Sequence, residues 1–183
     1  VRFTDALYTS KLFITSNSNY YSSYSGYFAP EGMKKVEFAA GQTHTITNEL
    51  AVGGTSGKLV QLVSSVAGST WYLNPPASTN NIYFVFVQDS SVVTGKSMTA
   101  SYSFNAGNNT RWTFGEILYT GGTSSNYGTW GDTNYWSNGY MPGSYDQVRI
   151  NGYMTLSQQY SASMVTIDSG YAMNLAGYAL SAT

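Results

Sequence analysis

The sequence predicts an all-β protein, built either as a parallel β-solenoid or as a β-sandwich. Three observations carry this. Helical periodicity is almost absent along the 183 residues. The apolar runs are short, rich in β-branched and aromatic residues, and bounded by Gly, Ser and Asn. From Val36 onward they recur at intervals of roughly 10 to 25 residues, a spacing that suits both folds.

Taken in chain order, strands are expected at Val36 to Ala39, Thr43 to Thr47, Lys58 to Ser65 and Thr70 to Leu73. Further ones are expected at Asn81 to Asp89, Met98 to Phe104 and Arg111 to Phe114. The last group is Gln147 to Ile150, Tyr153 to Leu156, Met164 to Ile167 and Ala172 to Leu175. Gly53-Gly54, Ser56-Gly57 and Gly121-Gly122 punctuate the runs as turns. Tyr83-Phe84-Val85-Phe86-Val87 is continuously apolar, which predicts one strand covered on both faces.

Composition narrows the function classes. Charged residues make up 9 %, against about 25 % in an ordinary soluble domain, and polarity comes instead from Ser, Thr, Asn and Gly. With 17 Tyr, 8 Phe and 4 Trp, disorder is excluded and a neutral, hydroxyl-rich, aromatic surface is implied. The net charge is −1 and Lys34-Lys35 is the only adjacent cationic pair. Nucleic-acid binding needs a cation cluster able to displace counterions from phosphates, so no nucleic-acid partner is expected. No apolar stretch approaches the ~20 residues of a membrane-spanning helix, and membrane insertion is not expected either. The absence of cysteine removes disulfides, thiolate metal sites and thiol nucleophiles. The chain begins at Val1 without a recognisable signal peptide, which suggests a processed form or an excerpt of a longer protein.

Two segments carry a resemblance. The first holds Phe38-Ala-Ala-Gly-Gln-Thr-His-Thr-Ile46, Gly57-Lys-Leu-Val-Gln-Leu62, Gly68-Ser-Thr-Trp-Tyr-Leu73, Phe86-Val-Gln-Asp-Ser90 and Asn108-Asn-Thr-Arg-Trp-Thr-Phe114. It resembles the closing coils of right-handed β-helices in large secreted, autotransporter-like surface repeat proteins of the adhesin and filament type. The second holds Tyr135-Trp-Ser-Asn-Gly-Tyr-Met-Pro-Gly-Ser-Tyr-Asp146, Val148-Arg-Ile150 and Thr166-Ile-Asp-Ser-Gly170 through Leu180. It is similar to the opening coils of such helices, with Tyr135 where Asn is usual. The resemblance implies a right-handed parallel β-helix with closing-type coils over residues 1–115 and opening-type coils over 116–183, an arrangement compatible with one continuous module. It also implies an extracellular or cell-surface location.

Candidate chemistry is sparse. The carboxylates are scattered, and Asp89 and Asp146 are expected to cap turns by accepting backbone N–H bonds rather than to form a catalytic or Ca²⁺ site. His44, the lone histidine, sits between Thr43 and Thr45 in an alternating strand with no motif that would make it a base. No cofactor, metal or catalytic residue is expected. Tyr20, Tyr21, Tyr24, Trp130, Tyr135, Trp136 and Tyr140 form a candidate aromatic interaction surface, for glycans or for a neighbouring subunit. The alternative is that they staple long loops over the flank of the fold. Asn108-Asn109-Thr110 is a glycosylation sequon, with a turn-forming role for Asn108 as the competing reading.

These readings converge on a non-enzymatic extracellular structural protein, a segment of a surface fibre or adhesin stalk packed head to tail as a homopolymer or tandem array. A carbohydrate-active or carbohydrate-binding β-helix is the alternative. A third possibility is strand donation by the N-terminal segment around Leu12-Phe13-Ile14.

Overall fold

The computed structural model describes residues 1–15, 34–78 and 80–182. Among them there is no α-helix, and the chain is all β with one short 3-10 turn at Thr133–Tyr135. The first strands are β1 (Tyr8–Thr15), β2 (Lys35–Phe38), β3 (Thr43–Gly53), β4 (Val60–Ser64), β5 (Trp71–Asn74) and β6 (Asn80–Tyr83). They are followed by β7 (Val85–Val87), β8 (Ser90–Val92), β9 (Met98–Ala100), β10 (Phe104–Asn105) and β11 (Trp112–Phe114). Past residue 115 come β12 (Ile117–Tyr119), β13 (Gly128–Thr129), β14 (Gln147–Ile150), β15 (Tyr153–Thr155), β16 (Tyr160–Ala162), β17 (Met164–Ile167), β18 (Ala172–Asn174) and β19 (Leu180–Ala182).

Among the described residues the strand ladders are all parallel, and antiparallel pairing is confined to three isolated bridges. This departs from the sandwich alternative, whose hairpins and Greek keys are antiparallel. The earlier strands form sheets in the orders β1-β3-β5-β8 (with β6 also on β3), β2-β4-β7-β10 and β9-β11. The later ones form β12-β14-β17, β13-β15-β18 and β16-β19. Among the described residues no ladder joins a strand before residue 115 to one after it.

Parallel register aligns like residues into rows across the strands. Val36 pairs Leu62, which pairs Val87, and all three point inward and are buried. Ile14, Val52 and Ile82 make a second buried row, and Ile117 and Val148 start another in the later part. Two apolar cores result, one drawn from residues up to Phe114 and one from Ile117 onward. Burying side chains of this size is worth about 1.5–3 kcal/mol each, which is the main source of stability here.

Two of the expected strands are in fact pairs of strands broken by a corner. The run Tyr83 to Val87 is divided at Phe84, whose φ of 50° turns the chain from the sheet of β6 into that of β7. Tyr102, also at φ 50°, divides Met98–Phe104 in the same way. The two corner rings stack at 5.3 Å and 18°, so each left-handed residue supports the one on the neighbouring strand. Val85 and Val87 then face the core while Phe86 faces out, which replaces the two-sided burial expected from the continuous run.

His44 closes the first core at one end. It is fully buried, its ring meets Phe38 edge-on at 4.9 Å, and its Nδ1 accepts the Leu7 backbone N–H at 3.2 Å. The imidazole is therefore neutral, with its proton on Nε2 facing the Ala39 carbonyl. Burial pushes its pKa below the ordinary value, against the opposing Ala39 contact.

Candidate interaction site

Of the seven aromatic residues singled out in the sequence, Tyr20, Tyr21 and Tyr24 lie outside the described residues. The other four do not make one surface. Trp130 and Trp136 are core residues, 0 % and 2 % exposed, which corrects the expectation of an exposed cluster. Their rings meet at 5.0 Å and 65°, and the Trp136 indole donates to the Trp130 carbonyl at 2.7 Å. The physical reason is that the two large apolar rings fill the second core, Trp136 edge-on to Tyr119 at 5.0 Å and Trp130 stacked on Tyr160 at 5.4 Å. Tyr135 lies at the surface but packs edge-on against the buried Tyr119 at 5.7 Å. Tyr140 is half-buried and its hydroxyl donates to the Gly57 carbonyl at 3.1 Å. These two act as staples.

Tyr140 belongs to a loop that ties the two cores together. The Gly57 N–H donates to the Asn138 carbonyl at 3.0 Å, and the Asn105 N–H donates to Asp146 Oδ1 at 2.9 Å. Asp146 Oδ2 accepts the Gly143 N–H at 2.8 Å, closing the Pro142-Gly143 turn. Asp146 thus caps its own turn, as expected, and also clasps β10. Burial pushes its carboxyl up to about 6, against the lowering effect of those two N–H donors.

Asp89 and Asn108 form a matching corner in the first core. Both have positive φ, 57° and 55°. Asp89 Oδ2 accepts the Gly68 N–H at 2.9 Å, and Asp89 Oδ1 accepts from Asn108 Nδ2 at 2.8 Å. Asn109 continues the polar ladder, donating to Val87 O and accepting the Ser90 N–H. The sequon nitrogen to which a glycan would attach is therefore engaged by Asp89. Among the described residues no group of three His, Cys, Asp or Glu side chains converges.

Titration of these groups gives a pH profile with a defined sign. The Arg2 hydrogen bond, with help from Lys35, holds Glu37 down to about 2. Its contribution to stability is present above its ordinary pKa and is lost as pH falls toward 2. The raised Asp146 acts in the other sense: its contribution is full below its ordinary pKa and is lost as pH rises through about 6. The depressed His44 contributes above its ordinary pKa and loses that contribution on acidification. In thermal melts from pH 2 to 8, Glu37→Gln is expected to remove part of the acid limb below about pH 4.5. Asp146→Asn is expected to gain on the wild type as pH rises from about 4 to 6. An Asp146→Asn profile parallel to the wild type would contradict this assignment.

Among the described residues the second core holds two unpaired polar atoms, the Tyr119 hydroxyl and Trp130 Nε1. Tyr119 is fully buried and its hydroxyl has no hydrogen-bond partner among the described residues. Burial pushes this phenol up to about 12. Leaving a buried hydroxyl unmatched costs about 1–3 kcal/mol, so Tyr119→Phe is expected to raise stability by about 1 kcal/mol in urea unfolding. A loss of more than that amount would reveal a partner for the hydroxyl.

The terminal strands complete the picture. β17, β18 and β19 each stand at the edge of their sheet. Ile167 lies in the inward row of Tyr119 and Ile150, which are both 0 % exposed, yet Ile167 itself is 45 % exposed. Val165, Met173 and Leu180 pack on the second core but remain only partly buried. The opposite end differs, because Phe3 and Leu7 fold over the first core beside His44. Sequence reasoning marked Met164 to Ile167 as a strand but gave no sign that its inward face lacks a covering layer. Comparison with protein-family models, curated proteins and solved structures finds no match for this chain.

Proposed function

We propose that this chain is a non-enzymatic structural segment of an extracellular fibre or adhesin stalk, built as a right-handed parallel β-solenoid whose units stack end to end. The observation that carries the reading is the inward row Tyr119–Ile150–Ile167, sealed at its first two positions and open at the third. An apolar row that stops at an uncovered edge strand is stabilised by one more parallel strand, which buries the side chains and pairs the free N–H and C=O groups. A layer from a second copy, or from the next repeat of a tandem array, supplies such a strand. Because the two ends of the molecule differ, the contact is heterologous and continues without closing.

Parallel crossovers of this kind are right-handed in nearly all sheets, which supports the proposed hand. The non-enzymatic reading is supported by the engagement of both Asp89 oxygens and both Asp146 oxygens with N–H donors. His44 is enclosed by Phe3, Phe38 and Trp71. The low charge suits stacking too, since like charges repeated in register along an axis would repel.

Sedimentation velocity over a wide concentration range tests the proposal, with wild type compared to Ile167→Lys. Ile167 is already half-exposed in the single chain, so the variant is expected to fold normally. The wild type should form concentration-dependent oligomers of increasing length and the variant should stay monomeric. A wild type that remains a monomer at every concentration overturns end-to-end assembly.

A further inference from the structure

The outer face of the β2-β4-β7-β10 sheet carries a second feature, independent of how the ends are used. Register places Lys35, Gln61, Phe86 and Phe104 in one outward row across four strands. Glu37 and Val63 begin a parallel row that Gln88 and Ala106 continue just past β7 and β10. Between the rows run two adjoining clefts of about 270 Å³ and about 230 Å³, both bordered by Phe86 and Gln88. Ser144 and Tyr145, from the loop that clasps β10, wall one end. Ala67 and Lys35 border the other.

Two properties define what this groove accepts. The first is its charge. Lys35 is paired with Glu37 at 2.8 Å, Glu37 also holds Arg2 at 2.7 Å, and both Asp89 oxygens are occupied. Lys35, Arg2 and Glu37 are thus paired among themselves, and Asp89 is buried with both oxygens turned to neutral N–H donors, so the groove presents no unpaired charge to a ligand. The second is its surface. Phe86 and Phe104 lie parallel within 1° at 5.4 Å, and Tyr145, 57 % exposed, stands beside them. The Gln88 carboxamide, at the point shared by both clefts, forms no hydrogen bond to the described residues. Aromatic C–H surface with an uncommitted amide donor and acceptor is the complement of a molecule that offers both C–H faces and hydroxyls.

We infer that this groove binds a neutral polysaccharide chain, lying along the axis of the strand rows with its sugars against Phe86, Phe104 and Tyr145 and a hydroxyl pair on the Gln88 carboxamide. The strand repeat of about 4.8 Å is close to the rise of one sugar in an extended chain, so successive sugars meet successive strands. The four-strand row spans about 14 Å, room for three such units.

The test is titration of ¹⁵N-labelled full chain with neutral hexasaccharides (β-1,4-linked glucose, mannose and xylose) and with an acidic comparator, hexagalacturonate. At least one neutral hexamer is expected to shift the Gln88 side-chain amide signals, with an affinity unchanged between low and high salt. Gln88→Ala and Phe104→Ala should each weaken that binding about tenfold or more, while Tyr171→Ala, in the turn before β18, should leave it unchanged. If no neutral hexamer binds, if only hexagalacturonate binds, or if a folded Gln88→Ala chain binds as well as the wild type, the inference is overturned. Ile167→Lys should bind as the wild type does, so failure here is separable from failure of assembly.

Discussion

Replacing Trp71 by Ala is expected to cost about 3–5 kcal/mol, the range for removing a fully buried large aromatic side chain. Trp71 is 0 % exposed and stacks on Phe38 at 4.1 Å and 11°. Its indole N–H donates to the Gln88 carbonyl at 3.1 Å, joining β5 to the strand region of another sheet. It therefore fills the first core and also pins two sheets together. For a chain of this length the expected fall in melting temperature is on the order of 10 °C. Trp71→Phe keeps a ring on Phe38 but strands the Gln88 carbonyl, so a smaller loss of about 1–3 kcal/mol is expected. Equilibrium unfolding by intrinsic fluorescence and circular dichroism measures both; a loss below about 1 kcal/mol for Trp71→Ala would contradict the placement of Trp71 in the core.

Gly122→Ala is expected to damage the second core by a different mechanism. Gly122 has φ 71°, where a Cβ is strained, and a Cβ there would be driven into the Tyr153 carbonyl oxygen and the Gly128 amide. Both obstacles are backbone, so neither can swing away. Left-handed strain alone costs about 1–3 kcal/mol, and the forced separation of β13 from β15 adds to it. The outcome expected is loss of hydrogen-exchange protection in β13, β15 and β18, with the amides of β3, β4 and β7 still protected because no ladder links the two cores. Uniform loss of protection along the whole chain would mean that the two cores unfold as one.

How much was legible in the sequence follows from the physics of particular residues. Alternation was enough to place β2, β4, β5, β14, β15 and β17 within a residue or two, because inward apolar residues at every second position leave few other options. The corners were not legible. Phe84 and Tyr102 take positive φ although bulky residues rarely do so, and the compensation comes from their mutual stacking, a contact that only the folded register creates. β8 was missed because Ser90-Ser91 carries strand structure on polar residues paired to the stronger β5, and β16 and β19 because Ser161 and Ser181 pair as polar residues in a two-stranded sheet of their own. Trp130 and Trp136 were read as surface residues because Gly and polar residues surround them, whereas tertiary folding brings them into the core. The turn-capping reading of Asp89 and Asp146 could be made from the adjoining turn residues. That Asp146 also reaches Asn105, across the gap between cores, could not.

The open inward row at Ile167 is the feature on which the proposed assembly depends, and X-ray diffraction from oriented fibres of the purified chain tests it most directly. Stacking along the strand-pairing direction predicts a meridional reflection near 4.8 Å, with the strands lying across the fibre axis. Fibres whose 4.8 Å reflection falls on the equator, or a chain that forms no fibres at all, would contradict it.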